Sequence, residues 1–188
     1  PFEFPDKPER GMTYWAWSLV PVKTDTGQVT GLVFTLVDVT GRIRAEKALG
    51  ESREKFHSIY DQSPIGIELY DSSGRLMDLN TACLHIFGIT RADQVRGFRL
   101  FDDPNLPEEA KRRLQAGKAV EHEFVFDFER VRQMGLYETA RTGHCCLHCL
   151  ITPWMSGQGA PGGYLVHVQD ITERKRAEEN RLKLEEQV

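Results

Sequence analysis

Apolar and polar residues alternate along several stretches of the chain, and each alternation predicts a half-buried strand. Ile65, Ile67 and Leu69 interleave with Gly66, Glu68 and Tyr70, the run stops at Asp71-Ser72-Ser73-Gly74, and a second extended run covers Arg75 to Asn80. Two such runs around a Gly-containing turn read as a hairpin. The pattern then becomes helical. Thr81 to Phe87 is ended by Gly88, Ala92 to Val95 makes one further turn, and Pro107 to Gln115 is stopped by Gly117. Val120 to Phe128 returns to alternation, with His122, Phe124, Phe126 and Phe128 on one face and mostly charges on the other. His144 to Trp154 and Gly163 to Ile171 follow as two strands around a Gly-containing turn, and a charged helix comes last. The expected order is two strands, several short helices, three strands and an exit helix.

The chain also repeats itself. Gly11 to Glu46 lies over Gly143 to Glu178 without a gap, at a constant offset of 132. The identities are Gly11/Gly143, Pro21/Pro153, Gly27/Gly159, Gly31/Gly163, Asp38/Asp170, Thr40/Thr172, Arg42/Arg174, Arg44/Arg176, Ala45/Ala177 and Glu46/Glu178. They concentrate at turns and at the strand-to-helix junction, where backbone geometry and capping restrict the choice of residue. Each copy reads as a hairpin feeding a helix, but only the second has the rest of a domain before it. Residues 1–40 are therefore expected to be the tail of an upstream domain, 41–60 a helical linker, 61–172 the complete domain and 173–188 the exit helix.

Composition narrows the function. A formal charge of −4 over 188 residues leaves no basic face dense enough to neutralise many phosphates, so nucleic acid is not expected as a partner. No apolar run reaches the roughly 18 to 20 residues that cross a bilayer, so no membrane contact is expected from this piece, although a longer parent could be anchored. The four cysteines, Cys83 and the group at 145, 146 and 149, have no spacing typical of a disulfide framework, which points to free thiols in the cytoplasm.

The order of elements, with SPIGIELYDSSGRLMDLNTACLHIFGI at the front and ITPWMSGQGAPGGYLVHVQDITERKRAEE at the back, resembles the PAS domain with its C-terminal PAC half. The likeness covers about residues 56–178, and residues 11–46 resemble the end of a preceding copy. It implies an α+β fold, a five-stranded antiparallel sheet with short helices over one face, enclosing either a small-molecule pocket or a plain core. It also implies a non-catalytic sensory or dimerisation module of a bacterial sensor histidine kinase or cyclic-di-GMP protein, covalently linked to an upstream PAS domain and a downstream output domain. The pocket expected from inward apolar positions comprises Ile67, Leu69, Leu84 and Phe87 near the front, Leu100, Phe101 and Leu114 in the helical stretch, and Phe124, Phe126, Leu147, Tyr164 and Val166 on the last strands.

Asp170, Ile171, Thr172 and Arg174 form the expected signal junction. Asp170 or Thr172 can cap the exit helix, Glu173 suits the positive helix end, and an Asp170–Arg174 pair would tie the strand to the helix. Ala45, Leu49, Ser52, Phe56 and Ile59 keep the spacing of a coiled-coil seam, and Ala177, Arg181, Leu184 and Val188 keep it imperfectly, so a homodimer is expected. No cofactor is identified. Asn80-Thr-Ala-Cys83 departs from the flavin-cysteine motif of light sensors, and the helix that would carry a haem ligand has no histidine, leaving His85 and His122 as unsupported ligands.

The six residues HCCLHC from His144 to Cys149 raise a rival, a metal- or redox-dependent protein. Strand alternation divides them: Cys145, Leu147 and Cys149 face the core, while His144, Cys146 and His148 face outward. His167 shares the outer parity on the following strand, so Cys146, His148 and His167, with His144 or water, make an imaginable zinc site. Against it stand the wide i to i+2 spacing and the lack of an adjacent general base or phosphate-cradling loop. The plainer expectation is an outer sheet face covered by a linker helix or a dimer partner.

Overall fold

The structure, a computed structural model, describes residues 1–157 and 160–185. Gly159 of the repeat and Val188 of the seam lie outside the described residues. The chain divides into two compact units, Pro1–His57 and Ser58–Val188.

The first unit contains strands β1 (Trp15–Lys23) and β2 (Val29–Asp38), paired antiparallel as a two-stranded sheet, and the start of helix α1 (Thr40–Gln62). Large apolar side chains stand in solvent on both strands: Trp17, Leu19, Leu32, Phe34 and Leu36 are all exposed. Helix α1 continues past the expected linker end at residue 60.

The second unit holds β3 (Gly66–Asp71), β4 (Leu76–Leu79), β5 (Val120–Asp127), β6 (His144–Met155) and β7 (Pro161–Asp170) in one antiparallel sheet of order β4-β3-β7-β6-β5. Helices α2 (Thr81–Phe87), α3 (Glu108–Gln115) and α4 (Phe128–Gln133) and the short 3-10 turns Ala92–Val95 and Leu100–Asp102 lie between β4 and β6 in the chain, and α5 (Thr172–Glu185) leaves the sheet after β7. This is the α+β architecture expected. Asn80 caps α2 by accepting from the Cys83 amide, and Gly88 closes it at φ +65°, a left-handed conformation costly for a side chain. Asn80 also accepts from Ile67 N (2.9 Å) and donates to Tyr60 O (2.9 Å) and Ile65 O (3.0 Å), so a fully buried amide ties β3, α2 and the end of α1 together. Leu114, Phe128, Leu147 and Val168 are fully buried in the core, each contributing about 1.5–3 kcal/mol of transfer free energy.

Three expectations need correction. The parity of β3 is reversed. Its register pairs Gly66, Glu68 and Tyr70 with Val168, Val166 and Tyr164, whose side chains face the core, and pairs Ile67 and Leu69 with His167 and Leu165 on the outer face. Gly66 is the position where α2 comes closest, since a Cβ there would lie 2.8 Å from Cys83 Sγ. The strand expected to reach Phe128 ends at Asp127, whose carboxylate accepts from the Glu129 and Arg130 amides and starts α4. The Asp170–Arg174 pair does not form, because Arg174 reaches Glu123 on β5 at 2.6 Å and Asp170 faces Arg141 at 3.5 Å.

Candidate functional site

Between the inner sheet face and the helices lies a cavity of about 70 Å³. Its wall is largely carbon: Leu76, Leu79, Phe87, Ile89, Val95, Phe98, Leu100, Leu106, Phe124, Phe126, Ile151, Val166 and Val168 all reach it. Six side chains with oxygen or nitrogen break that wall, Glu68, Tyr70, Asp103, Asn105, His122 and Tyr137. Strand β3 brings Glu68 and Tyr70, β5 brings His122, the turn after Leu100–Asp102 brings Asp103 and Asn105, and the segment after α4 brings Tyr137.

Their protonation is set by the low-polarity surroundings. Burial pushes the Glu68 carboxyl from 4.5 up to about 7; the hydrogen bond it accepts from Tyr70 Oη at 2.8 Å pulls the other way, and the Asp103 charge adds to the rise. Burial also raises Asp103, against hydrogen bonds from the Asn105 amide (2.8 Å) and Nδ2 (3.0 Å). His122 is lowered by burial, which favours the neutral ring, and it stacks on Phe124 at 5.0 Å between ring centroids. Among the described residues, His122 Nδ1 and Tyr137 Oη are the buried side-chain atoms without a hydrogen-bond partner. Such atoms cost free energy unless a ligand or water engages them.

Of the twelve expected pocket residues, Phe87, Leu100, Phe124, Phe126 and Val166 line the cavity. Leu114 and Leu147 are fully buried elsewhere in the core, Leu84 packs against the core, Phe101 meets Tyr164 edge-on at 5.3 Å, and Ile67 and Leu69 are on the other sheet face. Sequence reading missed the polar set. His122 had a signal, since it sits in phase with Phe124 and Phe126. Glu68 had one only in retrospect, as a carboxylate between Ile67 and Leu69, and Tyr137 had none.

The junction is tightly made. Asp170 Oδ1 accepts from Thr172 N at 3.0 Å and from its hydroxyl, Thr172 Oγ1 accepts from Cys146 N at 2.9 Å, and Ile171 N donates to Cys146 O at 2.8 Å. Burial alone would raise the Asp170 carboxyl, but the Thr172 hydrogen bonds and the Arg141 guanidinium outweigh it and hold the group below its usual range. Arg141 also donates from its guanidinium to Ile86 O at 2.7 Å, lies 4.8 Å over the Phe128 ring, and donates from its backbone amide to Thr139 Oγ1 at 3.1 Å. A single side chain thus joins the end of α2, the core under α4 and the start of α5.

The histidine and cysteine strand divides as the alternation requires, with Cys145, Leu147, Cys149 and Ile151 buried. The outer ligands do not converge. His148 is opposite Gln169 and His167 opposite Leu150, and His148 Nε2–H donates to Glu121 at 2.8 Å. Among the described residues no group of three or more His, Cys, Asp or Glu side chains is arranged to hold a metal ion. Burial pushes the Cys145 thiol up to about 11 and raises Cys83 and Cys149 as well, away from reactive thiolate.

A five-stranded antiparallel sheet, helices over one face and a capped helix leaving the last strand define a small α+β module with an internal cavity. The PAS fold profile matches residues 60–176, and the chain belongs to the PAS family. It is 31% identical over 148 residues to the virulence sensor protein BvgS of Bordetella parapertussis, covering 76% of this chain and 11% of that protein. The PAS domain of Bordetella pertussis BvgS shares the fold with a TM-score of 0.50 at 22% identity, covering 73% of this chain and 98% of that one. The PAS domain of an HTR-like protein from Haloarcula marismortui gives the same TM-score at 17% identity, covering 68% and 98%. Among the described residues no helix is long and apolar enough to cross a membrane.

Proposed function

We propose that the chain is the sensory PAS module of a cytoplasmic signal-transduction protein, in which occupancy of the cavity is transmitted through Arg141 and the Asp170–Thr172 junction to α5. The observation that carries this reading is continuity. Tyr137, whose hydroxyl is buried without a partner at the cavity, lies four residues before Arg141, and the segment between is pinned to α2 by Thr139 Oγ1–H to Phe87 O at 2.7 Å and Ala140 N to Gly88 O at 2.8 Å. A shift at Tyr137 reaches Asp170 through a short, hydrogen-bonded path. The output beyond α5 is read as a sensor kinase, the likeness to BvgS favouring that over a cyclase.

Residues 1–40 are read as the last hairpin of an upstream PAS domain, and the seam on α1, with Leu49, Phe56 and Ile59 exposed, as a homodimer contact. Replacing Asp170 and Thr172 by Ala in the full-length parent should leave its output enzyme active but unresponsive to signal. A fully regulated output in that variant overturns the transmission role.

A further inference from the structure

We propose that the cavity selects a small organic amine, holding an ammonium group with Glu68 and Asp103 and a compact apolar body with the surrounding rings. The proposal rests on the reading of this cavity as the ligand site and specifies its chemistry. The first support is the balance of donors and acceptors. Glu68 and Asp103 are acceptors when ionised, neutral His122 offers Nδ1, and Tyr137 offers a hydroxyl that can accept or donate, while the lining contains no Lys or Arg. The Asn105 amide donors are already turned on Asp103. An ammonium brings three donors and a positive charge to a wall that has unused acceptors and two carboxyls but no Lys or Arg.

The second support is exclusion by charge and shape. A carboxylate or phosphate ligand would meet two acidic groups with no Lys or Arg in the wall, Lys111 acting on Asp103 only from outside it. A bare metal ion would find a wall that is mostly carbon, and no described cluster of three ligating side chains exists. The rings of Phe87, Phe98, Phe124 and Phe126 suit an apolar body, and an aromatic ring attracts a cation placed over its face. The small volume restricts that body to a few heavy atoms.

Binding has a proton balance. Where Glu68 is protonated, the incoming R–NH3+ displaces its proton to solvent and leaves a carboxylate–ammonium pair. Amine affinity therefore rises with pH through the Glu68 titration near 7 and levels off above it, until the free amine itself loses its charge. The ionisable groups facing Glu68 are Tyr70 beside it, Tyr60 from α1, Cys83 from α2, Asp103, Tyr137 and Cys149 from β6. The tyrosines and cysteines are pushed further up by burial and stay neutral across this range, which leaves Asp103 and, on the acid side, the cavity-lining His122 as the other groups able to change charge.

Calorimetric titration of the chain with isobutylamine, isobutanol and isobutyrate tests the proposal. Isobutylamine should bind at least about tenfold more tightly than either analogue, and Glu68→Gln and Asp103→Asn should each cost at least about tenfold. Equal binding of isobutanol, or amine binding unchanged in both variants, overturns the amine chemistry; if Val166→Phe, which fills the cavity, abolishes binding, the cavity reading survives. No binding by any of the three, or binding unaffected by the filling variant, overturns both. Thermal melting confirms that each variant folds, and Ile89→Phe replaces Val166→Phe if that chain does not.

Discussion

The hairpins β1–β2 and β6–β7 are the same local structure in two surroundings. Trp15↔Asp38 and Leu147↔Asp170, Pro21↔Leu32 and Pro153↔Tyr164, and the bulges at Val22/Lys23 and Trp154/Met155 all coincide at the offset of 132. The junctions coincide too: Thr40 N donates to Asp38 Oδ1 at 2.9 Å and Tyr14 N to Thr40 Oγ1 at 2.9 Å, as Thr172 N does to Asp170 and Cys146 N to Thr172. Burial does not coincide. The second hairpin is paired with β3 and β5 along its edges and covered on its inner face, while the first has open edges among the described residues and apolar side chains in solvent. Pairing register and capping are thus written in the local sequence, and burial is supplied by the rest of a domain. Open edges flanked by exposed apolar faces are a form that native sheets avoid, which supports the proposed upstream domain.

The largest test of the contrast is a matched pair of truncations. Ile151 and Leu19 occupy equivalent positions, one 2% and the other 50% exposed. Ile151→Ala should lower stability by about 2–5 kcal/mol, and Leu19→Ala by no more than about 0.5 kcal/mol. Chemical denaturation followed by far-UV circular dichroism measures both, and similar losses would show that the first hairpin has a core of its own.

A covered sheet also buries charge, and Glu68 beside β7 is the case in point. Its folded value of about 7 exceeds the ordinary 4.5, so the native state holds the proton more tightly than the unfolded chain. The sign follows: its contribution is fully present below about pH 4.5 and is lost as pH rises to about 7. Glu68→Gln should therefore match the parent in acid and exceed it above neutrality by up to about 3 kcal/mol. Urea denaturation at a series of pH values gives the difference, and a gap independent of pH would contradict the buried carboxyl.

How much of this was legible depended on whether apolar pattern and burial agree. They agree on β6 and β7, where Cys145, Leu147, Tyr164 and Val166 face inward as their alternation says. They agree at Gly88, whose position after an apolar helical run marks the end of α2. They part on β3, where the more apolar residues face outward and the core face carries Gly66, Glu68 and Tyr70, because α2 needs room at Gly66 and the cavity uses the carboxyl. Phe128 extended an alternation that Asp127 had already ended by capping α4. Tyr137 and Arg141 reach the cavity and the junction from irregular backbone, where no periodicity exists to read.

The junction gives a finer test, since the bonds are alike and only their consequences differ. Thr172→Val removes the acceptor for Cys146 N and should cost about 1 kcal/mol of global stability. Thr40→Val removes the same bond to Tyr14 N. It should speed hydrogen exchange at Tyr14 while leaving the main unfolding transition in place, because among the described residues the buried core cluster contains no residue of β1 or β2.

The smallest expected effect comes from one arginine position with two partners. Arg42 pairs along its own helix with Glu46 at 3.9 Å, whereas its equivalent Arg174 reaches Glu123 of β5 at 2.6 Å, alongside Lys175 at 2.6 Å. The second helix bonds a strand beyond its own hairpin, while near its start the first reaches the segment before β1, where Arg44 donates to Arg10 O and Met12 O. Hydrogen bonds and charge from Lys175 and Arg174 hold the Glu123 carboxyl below its usual range, yet all three side chains are solvent-facing and screened by salt. Glu123→Gln should leave the melting transition almost unmoved and raise exchange in the first turn of α5 by roughly two- to fivefold at low salt. Glu46→Gln should leave the first turn of α1 unchanged on the same scale. If both helices respond alike, the pair on β5 does not fix how α5 leaves the sheet, and that exit is set by Asp170 and Thr172 alone.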